Sequence, residues 1–133
     1  MSHQTRIDPR WYEFRDAVYE RRFSDADVML RDIPALLHLT SGIGETALHF
    51  LAVENDLEGV QWLWSKGSDL NTRNAFGTPA LFEVAQLGYK ELYDWFVANG
   101  ADRTAVGKDG RDLVEHVLEF DPQMAEWVSK RGV

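Results

Sequence analysis

Histidine stands at positions 3, 38, 49 and 116, and the chain has no cysteine. Zinc sites carried by a helix use ligands such as two histidines at i and i+4, which face one side. No two of these histidines are so spaced, and His116 with Glu119 is an ordinary surface spacing. Carboxylate pairs such as Glu54 with Asp56, or Asp109 with Asp112, are commonplace among 22 acidic residues and suit solvated loops and helix caps. No G-x-S-x-G elbow is present. Gly42-Ile43-Gly44-Glu45 comes nearest to a phosphate-cradling loop, but the Lys-Ser/Thr that such a loop requires does not follow. Without a catalytic constellation, the expectation is a non-enzyme with no cofactor and no metal.

The scaffold that would position these residues is bounded by composition. The chain has 133 residues, 44% hydrophobic and 27% charged, which fits one compact domain and excludes a largely disordered chain. No apolar run approaches the roughly 20 residues that span a bilayer, and the first ten residues hold no apolar stretch. The absence of cysteine fits a reducing compartment, so a cytoplasmic location without membrane attachment is expected. The formal net charge is −8; residues 1–32 contribute −1 and residues 33–133 contribute −7. A polyanion would be repelled, so nucleic acid is not an expected partner, whereas a basic protein is.

A 33-residue period organises the chain. Gly44, Gly77 and Gly110 are evenly spaced, and Leu48 matches Leu81, Ala52 matches Ala85, Trp62 matches Trp95, Gly67 matches Gly100 and Asp69 matches Asp102. Periods of this size mark units that bury their apolar faces only by stacking. Each unit reads as a helix, a tight turn, a second helix and a polar loop. The spacing predicts helices over 46–54 and 57–66, over 79–87 and 89–99, and over 112–120 and 122–130. Pro79 is expected in a first helical turn, and Gly67 and Gly100 just past helix ends. Near the N-terminus Asp8-Pro9 reads as a helix start, followed by an inner stripe of Trp11, Phe14, Val18 and Tyr19. Ser24 is expected to cap the next helix, and Leu36 and Leu37 to tuck into the core.

Three segments carry a family resemblance: GETALH at 44–49, the cluster Gly67, Asp69 and Asn71, and the triplet Gly100-Ala101-Asp102. In these the chain resembles the ankyrin repeat family. The resemblance covers residues 41–106, about two repeats, and implies an all-α solenoid of about four stacked helix-turn-helix units with hairpin-like loops. It implies a single domain with an N-terminal cap over 1–40, repeats over 41–73 and 74–106, and a C-terminal cap over 107–133. Gly77-Thr78-Pro79-Ala80-Leu81-Phe82 departs from the family order, with Thr and Pro one place early and Phe82 where histidine is expected. Thr46 and His49 match the family's structural hydrogen-bonded pair, which makes a ligand role for His49 unexpected.

The resemblance also implies a function: a non-catalytic module that binds another protein through its concave face and loop tips, acting as a monomer. An alternative is an inhibitor or immunity protein of the antitoxin type that masks a basic enzyme such as a nuclease. Carried over by position, the contact residues would be Ile43, Glu45, Val53, Glu54, Arg73, Ala75, Phe76, Thr78, Gln86, Leu87, Lys108, Asp109 and Arg111. Trp62 and Trp95 are expected in the core. Trp64, two residues from Trp62, cannot share its face, and Phe76 sits at a turn tip with little local core to bury it. Trp11 and Tyr12 would either extend this surface or seal it. The register generates a stability test: Leu81→Ala or Phe96→Ala should each cost about 2–5 kcal/mol in denaturant unfolding, and an unchanged midpoint would contradict the stacking.

Overall fold

A computed structural model describes residues 8–131; the first seven residues, His3 among them, and the last two lie outside it. Eight α-helices form four pairs: α1 (Pro9–Tyr19) with α2 (Phe23–Asp32), α3 (Ala47–Val53) with α4 (Leu57–Ser65), α5 (Ala80–Gln86) with α6 (Lys90–Ala98), and α7 (Leu113–Phe120) with α8 (Pro122–Arg131). A short 3-10 turn, Pro34–Leu37, follows α2 and drops Leu36 into the core. The first helices pack in chain order, α1 on α3, α3 on α5 and α5 on α7, while each second helix packs on its own first helix. The result is the expected all-α ankyrin solenoid, with no regular strand among the described residues.

Local chemistry starts most helices as the sequence implies. Asp8 accepts from the Arg10 amide, Thr46 from the His49 amide and Asp56 from the Gly59 amide. Asp112 and Glu115 close a reciprocal capping box at the start of α7. Two expected starts differ. Helix α2 begins at Phe23, with Arg22 before it and no side-chain cap, so Ser24 lies inside the first turn. Pro79 is extended and precedes α5, because it still bridges Arg73 across the loop; Ala80 is the first helical residue.

One continuous core runs through all four pairs. Leu48, Ala52, Leu63, Leu81, Ala85, Phe96 and Val117 are buried, as are Trp11, Phe14 and Val18. Tyr19 is exposed, because α1 ends there and its side chain passes the edge of the stripe. Trp62 and Trp95 are only half-buried: Trp62 stacks on Phe23 at 5.2 Å, and Trp95 meets Trp64 edge-on at 5.7 Å. The second helices therefore present a partly covered aromatic layer instead of a sealed one.

The loops before the first helices are tight turns with the glycine inside them. Gly44, Gly77 and Gly110 donate to Ser41, Asn74 and Gly107, at 2.9, 3.0 and 2.9 Å, and all three have positive φ. Neighbouring turns nest. A Cβ on Gly44 would lie 2.5 Å from the Ala75 amide nitrogen, whereas one on Gly110 would meet nothing within 4 Å. Left-handed backbone alone costs a non-glycine residue about 1–2 kcal/mol, and a close approach to backbone adds to it. Gly110→Ala should therefore cost about 1–2 kcal/mol and Gly44→Ala about 1–2 kcal/mol more, measured by urea unfolding of both variants.

Candidate functional site

The 33-residue register lines up the turn tips. Ile43, Phe76 and Asp109 occupy equivalent places, and the first two are 50% and 69% exposed. The Phe76 tip is the most elaborately built. The Asn74 carboxamide oxygen accepts from the Phe76 amide at 2.9 Å and the Thr78 amide at 3.1 Å, and its nitrogen donates to Glu83 Oε1 at 2.8 Å. A side chain mimicking the backbone in this way fixes a turn that carries few apolar contacts of its own. The Ala75 amide also donates to the Ile43 carbonyl at 2.9 Å, tying the tip to its neighbour. The exposed phenyl ring thus projects from a rigid support.

Arg73 and Arg111 lie beside the tips but are already engaged. The Arg73 guanidinium donates to the carbonyls of Gly77 and Val106, at 3.1 and 2.8 Å, and so laces two turns together. Arg111 pairs with Asp109 and Glu119. Lys108 and Asp109 are exposed, and Thr78 is half-buried. Along the first helices, Glu54 and Leu87 are exposed and Val53 and Gln86 are half-buried. The Gln86 side-chain oxygen meets His116 Nε2 at 2.8 Å. Burial pushes His116 below the ordinary histidine range, with Asp109 and Glu83 opposing that shift and Arg111 adding to it.

Glu45 does not sit on the open rim where its repeat position suggested. Its side chain is 9% exposed, turned inward toward His49 and Glu83. It lies among Trp11, Tyr12, Arg15 and Phe50, so the helices on either side cover it. Burial pushes the Glu45 carboxyl above the usual carboxylate range; the nearby Glu83 and Glu54 push the same way and His49 opposes. The His49 ring likewise departs from expectation. Thr46 receives the His49 backbone amide, at 3.2 Å, and not the imidazole. The ring is fully buried, with Nε2 3.2 Å from Glu83 Oε1 and 3.9 Å from Glu45 Oε2, and with Nδ1 unpartnered among the described residues. Glu83 thus meets His49 across the stack.

Several residues of this surface escaped the positional reading. Phe120 is exposed, lies 33 residues after Leu87 and packs against His116, so the register itself pointed to it. Glu83 and Phe50 are half-buried, and the arginine of Arg15 lies over the Phe50 ring at 4.6 Å. Tyr12, Arg15, Glu45 and Phe50 line a shallow hollow with Ile43 and the buried Trp11. Trp64 is 42% exposed on the second-helix layer, away from the tips. No helix among the described residues is long and apolar enough to cross a membrane. Since the Asn74 side chain holds the Phe76 and Thr78 amides, Asn74→Ala should cost about 1–2 kcal/mol and speed hydrogen exchange at those two amides, leaving the α3 amides protected.

Comparison with known proteins agrees with this architecture. The family described as ankyrin repeats (many copies) matches residues 48–97. Protein phosphatase 1 regulatory subunit 27 of Homo sapiens is 33% identical over 78 residues, covering 59% of this chain and 50% of that protein. Ankyrin repeat and SAM domain-containing protein 6 of Rattus norvegicus is 31% identical over 96 residues, which is 71% of this chain and 11% of the relative. Ankyrin repeat protein OPG189 of Variola virus is 30% identical over 91 residues, or 68% and 16%. The chain thus spans half or less of the length of these curated relatives. With the 33-residue register, the paired helices and the nested glycine turns, these matches assign residues 48–97 to the ankyrin repeat family.

Proposed function

We propose that this chain is a non-catalytic protein-interaction module whose contact surface is the row of turn tips and the adjoining flank of the first helices. The observation that carries this reading is Phe76: an aromatic ring 69% exposed on a turn held by two Asn74 hydrogen bonds. Holding such a ring in water has no benefit for the fold, and rigid aromatic anchors dominate interface energetics. Ile43 on one side and Leu87 with Phe120 further along extend the apolar part of the surface. Glu54 supplies exposed negative charge beside it, and Asp109 and Glu119, which share the single Arg111, leave a net negative charge there, whereas Glu45 is buried. The partner that fits is a protein with an apolar pocket rimmed by basic residues.

The relatives support a binding role, since one of them is by name a regulatory subunit. The acidic excess of residues 33–133 favours a narrower version in which the partner is a basic enzyme and the complex silences it. Loss of that enzyme's activity on stoichiometric complex formation would establish the narrower version.

Affinity capture with wild type, Phe76→Ala and Trp64→Ala, followed by binding measurements on the protein retained, tests the surface. Phe76→Ala should weaken the complex about 30-fold, equivalent to about 2 kcal/mol, with its thermal midpoint unchanged. Glu54→Lys should slow association at low salt and leave dissociation nearly unaltered. Normal binding by Phe76→Ala together with loss in Trp64→Ala would move the site to the second-helix layer.

A further inference from the structure

We propose that Glu45, His49 and Glu83 form a binding site for one first-row divalent cation of the zinc type, joining two neighbouring repeats. The three residues come from three places: Glu45 from the turn before α3, His49 from the first turn of α3, and Glu83 from the first turn of α5. Each offers one ligand atom, and these atoms lie within 4.8 Å of one another. His49 Nε2 stands 3.2 Å from Glu83 Oε1 and 3.9 Å from Glu45 Oε2. Arms of about 2.0–2.1 Å at a tetrahedral centre separate two ligand atoms by roughly 3.3 Å; His49 and Glu83 already stand at that spacing, and Glu45 must swing inward to complete the set.

A second observation points to a ligand. The Glu45 carboxylate is nine-tenths buried and aimed at the cluster, yet no donor among the described residues comes within hydrogen-bond distance of it. Its side chain borders the shallow hollow beside Tyr12 and Phe50, and a largely buried carboxylate with no donor, next to Glu83 and Glu54, is costly. The imidazole can serve only one carboxylate well at a time. A dication with a neutral imidazole satisfies both, and two negative charges cancel its own.

The donor set selects the class of ion. One imidazole nitrogen with two carboxylate oxygens suits zinc and its first-row neighbours. Calcium prefers six to eight oxygens, and magnesium retains several waters in a near-octahedral shell. The groups that hold the ligands in place do so unevenly. Asn74 orients Glu83 through its 2.8 Å hydrogen bond, but His49 Nδ1 has no acceptor to fix the ring. The expected affinity is therefore micromolar, and the half-buried Glu83 leaves the fourth position open to water.

The test uses the full chain, freed of metal with a chelator and titrated with ZnCl2 by calorimetry. One zinc per chain is expected, with four-coordinate visible absorption when CoCl2 replaces it. Zinc at 100 times its dissociation constant should raise the thermal midpoint by about 5–10 °C. Glu45→Gln and Glu83→Gln keep side-chain shape and should each weaken binding at least tenfold, while His3→Ala/His38→Ala should bind as wild type. Absence of a 1:1 complex would overturn the proposal. So would binding that survives both glutamine variants, or that is lost in the His3/His38 variant.

Discussion

The close approach of one turn to the next is the constraint on which the rest of this structure depends. At Gly44 the backbone of the following turn comes so near that a Cβ would sit 2.5 Å from a main-chain nitrogen, and the same is true of Gly77 against the Lys108 Cβ. Positive φ at both positions makes the turn, and the missing side chain lets the next turn lie over it. The Ala75-to-Ile43 hydrogen bond and the Arg73 bonds to Gly77 and Val106 then fasten the stack at its edge. Apolar burial in the helix layers is large but non-directional, so it tolerates small slips. The nested turns do not, and they set the register in which Ile43, Phe76 and Asp109 form a row.

Long-range polar contacts repeat the same lesson on the other side of the helices. Arg21 grips the buried Asp56 at 2.6 and 3.0 Å while Asp56 also caps α4, so the first pair is tied to the start of the second. Tyr89 reaches back to the Val53 carbonyl at 3.0 Å, and Arg131 chelates Asp94. These partners are 35, 36 and 37 residues apart, each a little over one period. Ion pairs as exposed as Arg131 with Asp94 add little stability singly. Asp56 differs, because removing Arg21 would leave a buried carboxylate short of a partner.

The period was legible in the sequence because it rests on residue types with few substitutes: glycine where φ is positive, small residues where first helices touch, and large apolar residues at helical spacing. Helix ends were legible where a side chain caps them, as at Asp8, Thr46 and Asp112. Ser24 and Pro79 were misplaced because the first of these helices starts without a cap, at Phe23, and the proline is held by a cross-loop bridge. Position in the repeat singled out Phe76, Ile43 and Leu87, which are exposed, but could not tell Glu45 from an open rim residue. That distinction depends on how deeply the neighbouring helices cover it, which is a property of two units together. The His49–Glu83 contact was invisible for the same reason, since its partners are 34 residues apart and match no family pair.

The position of His49 and its two carboxylates relative to the exposed tip connects these findings. Stacking alone does not ask for charge there. One period later, Glu45 is replaced by Thr78 and His49 by Phe82, and Phe82 fills its place as ordinary core. A unit built only for stability could carry the same apolar ring at both levels. Instead one interface holds a histidine between two carboxylates, with the usual cost of desolvated charge. Asn74 spans that interface and the Phe76 turn, with its nitrogen on Glu83 and its oxygen on the tip amides. Conflict with local stability concentrated beside an exposed feature is what function leaves behind in a fold. Here a single carboxamide joins the two, so whatever orders Glu83 also orders the tip.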